Sequence, residues 1–597
     1  MCGIVGVVRR PSRREPPVGA ELVAALDVAL GLLGDDVTAE RVQAAADRIG
    51  GVDELLRGVP GVRTLLDDRA SAVAVEDRVV RLTEALSGVE RTLDAHGPDH
   101  AGLERLDAAL VRARDVVWAV GHDRLRNARA VGDLAGAGAP VASLAAFTSV
   151  QTALCALDRL EVRGRDSAGL AVVVRGHGLR LDDPAVARLV EARAADPLFT
   201  SGAVRVDGDV LAFVYKAAAE IGELGDNSSV LRAAIRSDEL LHLAVSAPTA
   251  EAIVLGHTRW ASVGIISEPN AHPLDQAEVD AVVRPLTLGV LNGDVDNYTD
   301  LEASEGLVTA AEITTDAKVI PALVARRLAA GRPPLDAFRG TMATLEGSVA
   351  VATALAQRPD ALFLALRGSG QALYVGMAED AFVVASEPYG LVEETSTYLR
   401  LDGETPADPE RPGATRGQVV VIDAAGAGTP AGLTRCAYDG TPLPLSAADL
   451  VEAQITTRDI DRGDHPHFLL KEISEAPDSF RKTLRGKVAD HGGRLSVALP
   501  ASTLPDDLGR RLADGSIHRV LAIGQGTAAV AGAALAAAVR DLVGDRIFAE
   551  AVLATELSGF GMRADMSDTL VVAISQSGTT TDTNRSVELV RSRGAAV

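Results

Sequence analysis

The chain has 597 residues, enough for several domains, and 47% hydrophobic against 24% charged residues allows a sizeable core. Its formal net charge of −23 argues against nucleic acid or an anionic membrane as a general partner, because phosphates would be repelled, but it leaves room for a local anion site made of backbone N–H groups. Three cysteines (Cys2, Cys155 and Cys436) at unrelated spacings give neither a disulfide framework nor a zinc pattern, so a reducing cytoplasm is expected and neither a metal nor a cofactor.

The chain opens on Met1-Cys2-Gly3-Ile4-Val5-Gly6-Val7-Val8. Removal of the initiator Met would leave Cys2 with a thiol and a free α-amine on one residue. A thiol reacts as thiolate and needs a base; the α-amine, with an ordinary pKa near 8, can serve directly or through a water. Residues 4–8 read as a buried strand that holds the nucleophile. From Arg9 to about position 17 the sequence is basic and Pro-rich, and helical periodicity follows to about position 129, as in Glu21-Leu22-Val23-Ala24-Ala25-Leu26. This stretch carries no catalytic constellation. It reads as a helical insertion that packs on itself and on a neighbour, more a structural excursion than a partner-binding device.

A helix with Val150, Leu154, Leu157 and Leu160 on one face leads into Arg163-Gly164-Arg165-Asp166-Ser167-Ala168-Gly169, a turn fixed by charge-assisted hydrogen bonds, and then a strand over 170–174. Residues 176–248 read as loop and helix of mixed polarity. A strand follows, ending in Gly256-His257-Thr258-Arg259-Trp260, then Asn270-Ala271-His272-Pro273, then a strand ending in Leu291-Asn292-Gly293-Asp294. Asp316 suits a helix N-terminus. Short strands at 348–353, 361–366, 372–375, 381–385 and 418–422 imply stacked sheets. Residues 403–417 form a surface loop, and about 437–466 an extended connector. The last hundred residues repeat strand, small-residue turn and helix: 520–523, Gly524-Gln525-Gly526-Thr527 and 528–543, then 569–574, Ser575-Gln576-Ser577-Gly578-Thr579-Thr580 and 582–592. Such units build a parallel sheet whose turns suit phosphate. No run of about 18 apolar residues suggests a membrane span.

In their order, the N-terminal hexapeptide, the 163–169 turn, His257-Thr258-Arg259-Trp260-Ala261, Asn270-Ala271-His272-Pro273 and Asn292-Gly293 resemble the class II glutamine amidotransferases, the N-terminal-nucleophile (Ntn) glutaminases. His467-Phe468-Leu469-Leu470-Lys471-Glu472-Ile473 and the Ser575–Gly578 turn narrow the resemblance to the glutamine–fructose-6-phosphate aminotransferase (isomerizing) branch, also called glucosamine-6-phosphate synthase. It covers residues 1–8 and, with gaps, about 142–597, but not the insertion.

The resemblance implies an α+β and α/β chain. An Ntn αββα sandwich would fill residues 1–440, with the insertion at 9–141. A connector over 441–500 and an incomplete sugar-isomerase (SIS) module over 501–597 would follow. It implies that Cys2 attacks the side-chain amide of glutamine, with Asn292 and Gly293 as oxyanion hole. Arg259 would hold the α-carboxylate and Asp316 the α-ammonium, with Ser262 and His272 in the glutamine pocket and Trp260 gating ammonia. Thr527, Ser575, Gln576, Ser577 and Thr580 match sugar-phosphate positions. The implied substrates are glutamine and fructose 6-phosphate, the product glucosamine 6-phosphate, the assembly a homodimer at full length, and the compartment the cytoplasm, with no nucleic acid and no membrane.

Four positions depart from the pattern: Val263 and Leu291 where the family has His, Gln525 in place of a Cys, and Ala528 in place of a Ser. The chain is expected to stop inside the first sugar-isomerase module, before the Glu, His and Lys of isomerisation. The rival readings are a glutaminase serving another sugar-phosphate acceptor and a sugar-phosphate sensor with a degenerate glutaminase.

Overall fold

The computed structural model describes residues 2–34, 37–95, 100–218, 223–279, 284–368, 370–406, 416–484, 487–490, 492–497, 503, 505–576, 578 and 580–597. These form two compact units, residues 1–479 and 480–597.

In the first unit, β1 (Gly3–Arg9) is followed by α1 (Gly19–Leu32), α2 (Ala39–Leu55), α3 (Gly58–Asp67), α4 (Arg69–Ala95), α5 (His100–Trp118), a π-helical turn over Ala119–Arg126, and α6 (Asn127–Ala135). Next come α7 (Val141–Leu160), β2 (Ser167–Arg175), α8 (Pro184–Ala194), β3 (Val204–Asp207), β4 (Val210–Ala218), α9 (Asp226–Arg236), α10 (Glu239–Ala244) and β5 (Glu251–Arg259). Then β6 (Leu274–Asp275), β7 (Thr287–Gly293), α11 (Tyr298–Glu305), α12 (Val319–Ala329) and α13 (Pro334–Met342) precede a run of strands. That run is β8 (Val349–Leu355), β9 (Arg358–Arg367), β10 (Tyr374–Met377), β11 (Ala381–Ala385), β12 (Thr397–Arg400), β13 (Gln418–Asp423), β14 (Leu433–Ala437) and β15 (Leu450–Glu452), with α14 (Phe468–Leu484) after it.

Two antiparallel sheets face each other, of order β15-β12-β10-β11-β1-β5-β2-β4-β3 and β14-β13-β9-β8-β7-β6. The alternation of strand side chains sorts the apolar residues into layers. Ile4, Val8, Ala171, Val214 and Leu255 of the first sheet meet Leu288, Val290, Ala352, Leu364 and Val420 of the second in one core. The odd-numbered Val5 and Val7 of β1 face outward, under α7. The outward residues of the second sheet, Leu291, Val351 and Phe363 among them, lie under α12 and α13. The layers run helix, sheet, sheet, helix. Because β1 is central and both its faces are covered, its sequence is apolar throughout.

The insertion forms a second helical layer, with α3 and α6 packed on α7. That explains why α7 is buried nearly all round, with only small or amide polar side chains between its apolar residues up to Leu157: it lies between the sheet and the insertion. Contrary to the expectation that no apolar run is long enough, α7 is long and apolar enough to cross a membrane, but it is a core helix.

Three expectations need correction. The 176–248 stretch contains β3 and β4; Val210–Tyr215 is a short continuous apolar run, which periodicity cannot distinguish from a buried helix. The strands β12 and β14 are unexpected: each carries a Thr and an Arg within four or five residues and so lacks an apolar run. The extended 437–466 segment contributes β15, which pairs with β12 in the register Thr397↔Glu452 and lengthens the edge of the first sheet.

The second unit holds a hairpin, β16 (Val488–Asp490) with β17 (Leu495–Val497), and α15 (Asp506–Ala513). A parallel sheet follows, built from β18 (Arg519–Gly524), α16 (Thr527–Val543), β19 (Phe548–Leu553), α17 (Ala554–Glu556), β20 (Thr569–Ala573) and α18 (Thr581–Arg591). The order is β19-β18-β20, with β18 central and parallel to both neighbours. The chain runs from β18 to β19 on one side and returns to β20 on the other, so the strand order reverses between β18 and β20. The helix α16 also meets the length and composition of a membrane span; it lies on the sheet through Gly532 and Ala536.

Candidate active site

The pairing of β1 with β5 places Gly3 opposite Thr258 and so sets Cys2 beside the end of β5. A Cβ on Gly3 would sit 2.6 Å from Thr258 Oγ1 and 2.8 Å from Leu160 Cβ, so only glycine permits this approach. The Trp260 N–H donates to Cys2 Sγ at 3.2 Å, and the other polar atom within reach of the sulfur is the Trp260 carbonyl at 3.5 Å. Burial raises the Cys2 thiol pKa above its ordinary value, against the lowering influence of the Trp260 N–H and the Arg259 charge. No imidazole or carboxylate hydrogen-bonds the sulfur among the described residues, so a base must come from elsewhere.

The 163–169 turn supports this strand end. A Cβ on Gly164 would come within 2.7 Å of the Arg259 carbonyl carbon. The Asp166 N–H donates to Arg259 O at 3.1 Å, and Asp166 Oδ2 accepts from the Ala261 N–H at 2.8 Å. Arg163 pairs with Glu387 at 2.9 Å. The backbone that offers Trp260 N–H to the sulfur is thus fixed from both sides.

From the opposite sheet, Asn292 at the end of β7 donates through Nδ2 to the Cys2 carbonyl at 3.0 Å. The second Nδ2 hydrogen is available to a ligand at the thiol. His257 orients that amide, and sequence reasoning missed it as a site residue. Its Nε2 lies 2.8 Å from Leu291 O and 3.0 Å from Asn292 Oδ1. A carbonyl only accepts, so Nε2 carries the hydrogen, and burial lowers the His257 pKa to about 3, keeping the ring neutral. The available signal was a polar residue at an inward position of a strand whose other inward residues, Ile253 and Leu255, are apolar. Gly293 has φ +90°, and a Cβ there would lie 2.1 Å from Ser348 O.

The expected glutamine residues fall into two groups. Trp260, 59% exposed, and Ser262, which donates to Asp294 Oδ1 at 2.5 Å, lie at the surface of the site. Arg259 is buried beneath them; its Nη1 donates to Ile265 O at 3.1 Å and its Nη2 to Val263 O. Asp316 Oδ2 accepts from the Val295 N–H at 2.7 Å, and burial raises its pKa. Asn270 ties the two loops together: Oδ1 accepts from the N–H groups of Thr314 and Thr315 at 2.8 and 3.0 Å. His272 lies deeper than Trp260 and Ser262. It is buried in the wall, with its ring 4.4 Å from that of His257 and its Nδ1 accepting from the Leu291 N–H.

In the second unit, Thr527 begins α16, and Ser575, Gln576 and Thr580 follow β20, so both turns sit at the carboxyl ends of β18 and β20, where the strand order reverses. Open parallel sheets bind ligands at such a switch point. Ser575 Oγ accepts from the Gly578 N–H at 3.0 Å and lies 3.4 Å from Thr580 Oγ1. Ser577 lies outside the described residues. No group of three His, Cys, Asp or Glu is arranged to hold a metal among the described residues.

No family model matches the chain. It is 30% identical over 453 residues to glutamine–fructose-6-phosphate aminotransferase (isomerizing) of Symbiobacterium thermophilum, covering 74% of this chain and 58% of that protein. The enzyme of the same name from Pyrobaculum aerophilum is 28% identical over 445 residues, covering 74% and 57%. The chain therefore spans under two thirds of the length of these relatives. Among solved structures, the glutamine phosphoribosylpyrophosphate amidotransferase of B. subtilis aligns at 16% identity and a TM-score of 0.32, over 75% of this chain and 77% of that one. Over about three quarters of its length the chain is thus similar in sequence to the glutamine–fructose-6-phosphate aminotransferases (isomerizing).

Proposed function

We propose that the first unit hydrolyses glutamine at Cys2 and that the ammonia serves to aminate fructose 6-phosphate to glucosamine 6-phosphate. The observation that carries this reading is the convergence on Cys2 of the Trp260 N–H, at its sulfur, and the Asn292 amide, at its carbonyl, brought together by the ends of three strands of two sheets. With Met1 removed, the α-amine of Cys2 takes the thiol proton. The sulfur attacks the amide carbon of glutamine, and the oxyanion is received by Asn292 Nδ2 and the Gly293 N–H, donors worth a few kcal/mol each in the transition state, roughly. The α-ammonium returns the proton to the departing ammonia. Water then hydrolyses the thioester, giving glutamate and the free thiol.

Arg259 and Asp316 recognise the zwitterionic end of glutamine. The Arg259 fork is occupied by Val263 O and Ile265 O, so glutamine binding exchanges two backbone carbonyls for a carboxylate, a charge-assisted and bidentate partner. Ser262 lines the entrance and Trp260 gates the ammonia route. The turns at Thr527 and at Ser575, Gln576, Ser577 and Thr580 bind the sugar phosphate. The protein works in the cytoplasm, as a homodimer at full length.

Cys2→Ala is the test. Glutamate release should vanish while the thermal unfolding transition stays in place, and undiminished release would refute the assignment. Assaying hexosamine separately, with fructose 6-phosphate or another sugar phosphate added, distinguishes the proposed acceptor from its rival, which the replacements at Gln525 and Ala528 favour.

A further inference from the structure

Where the helical insertion joins the sandwich there is a cavity of about 420 Å³. Four arginines line it: Arg9, Arg10, Arg14 and Arg63. Two have carboxylate partners outside it, Arg14 with Glu379 at 2.9 Å and Arg9 with Asp380 at 2.5 Å. Arg10 gives Nε and Nη2 to the backbone carbonyls of Ala427 and Glu379, which engages its donors without cancelling its charge. Arg63 has no hydrogen bond or ion pair among the described residues. Arg9 is 6% exposed; its Nη2 has no hydrogen-bond acceptor among the described residues, and the Glu394 carboxylate stands off at 4.0 Å. Glu251, the acidic residue in the lining, is bound to Arg175 at 2.5 Å.

Two helices also begin at this cavity. The first turns of α3, at Val59 and Pro60, and of α7, at Val141 and Ala142, are in its wall, and neither helix has a side-chain N-cap. Their unpaired N–H groups add partial positive charge to that of the arginines. In a chain of net charge −23 this is a local reversal of sign. Most of the rest of the wall, including Val59, Pro60, Ala142 and Ala145, is apolar, with Ser12, Ser149 and Thr249 as its hydroxyls.

We propose that this cavity is a binding site for a small amphipathic oxyanion, a phosphate ester or a carboxylate. The anionic head meets Arg63, Arg9 and the two helix starts, and an apolar body lies along Ala145, Ala146 and Ala250. The proposal is independent of the glutaminase reading, because its readout is binding.

The test is titration calorimetry of the full chain with octyl phosphate, octanoate and inorganic phosphate. At least one amphiphile should bind saturably, and which of them binds tighter identifies the head group. Inorganic phosphate should bind at least about tenfold more weakly, because it leaves the apolar wall uncovered. Arg63→Glu should weaken amphiphile binding about tenfold or more, while Arg63→Lys, which keeps the charge, should retain most of it. Ala142→Phe should abolish binding by filling the cavity. Arg63 has no partner to lose, so its variants should fold even if Ala142→Phe does not. Failure of both amphiphiles to saturate, binding indifferent to Arg63→Glu, or inorganic phosphate binding as tightly as the amphiphiles would each overturn the proposal.

Discussion

His257 does not touch the thiol, yet it decides which way the Asn292 amide faces. With Nε2–H shared between Leu291 O and Asn292 Oδ1, the amide nitrogen is turned toward Cys2. His257→Phe should therefore lower kcat, by up to about a hundredfold for a misplacement on the ångström scale, with KM little changed. His257→Gln, which can still donate, should recover part of the loss; a kcat unchanged by Phe would remove the positioning role. Lys216 is an opposite case, a group the fold tolerates at a cost. It is 1% exposed, its Nζ has no hydrogen-bond partner among the described residues, and burial lowers its pKa from 10.5 to about 7. Between those two values the unfolded chain binds the proton and the folded chain does not, so stability should rise with pH from about 7 to 10.5, by at most about 1.4 kcal/mol per unit. Lys216→Met should be the more stable protein at pH 7, and its advantage should shrink at pH 9. Denaturant titrations at the two values check this; an advantage that grows with pH would contradict the sign.

At the scale of elements, the insertion is more than the structural excursion its sequence suggests. Arg124, from the π-helical turn, donates to Asp53 Oδ1 at 2.7 Å and to Glu393 O at 2.7 Å. Asp123 accepts from Thr457 Oγ1 at 2.6 Å, and Asp115 from Arg458 Nε at 2.6 Å, so the insertion also fastens the segment after β15. Removing one member of a buried ionic cluster leaves the others uncompensated. Arg124→Met should cost roughly 3–5 kcal/mol. The double variant with Asp53→Leu should cost less than the sum of the single variants, and strict additivity would show that the contact carries no coupling. Deleting the insertion should then destabilise the sandwich, although its ends are close: Arg9 Nε donates to Ser149 Oγ of α7 at 3.3 Å.

None of this coupling was legible in the sequence. Helical periodicity reports the apolar face of each helix, and Asp53 and Arg124, seventy-one positions apart, look like any solvated charges until the fold brings them together. Among the elements that could be read, β1, β2, β5 and β7 are those whose apolar runs abut polar motifs. The site was legible in its residue types because Cys2, Arg259 and Asn292 sit at strand ends where alternation breaks. Their partners were not, since those of Arg259 and Asp316 are backbone atoms, which leave no trace in residue identity.

At the scale of the whole molecule, the two units differ in how complete their cores are. The sandwich closes three apolar layers over both its sheets, and every residue proposed for glutamine chemistry lies within residues 1–479. The second unit, taken by itself, has one small core around Leu521, Ile523 and Val571 and leaves Val530, Leu542 and Phe560 exposed. Apolar surface of that kind favours association. A polypeptide of residues 1–479 should consequently fold and release glutamate from glutamine with no response to fructose 6-phosphate, whereas residues 480–597 alone should self-associate. Circular dichroism, light scattering and a glutamate assay on the separate polypeptides check both halves of this expectation. A first unit that folds but leaves glutamine intact would mean that the glutamine site is completed by residues outside the sandwich, and the assignment of the whole hydrolytic machinery to one unit would fall with it.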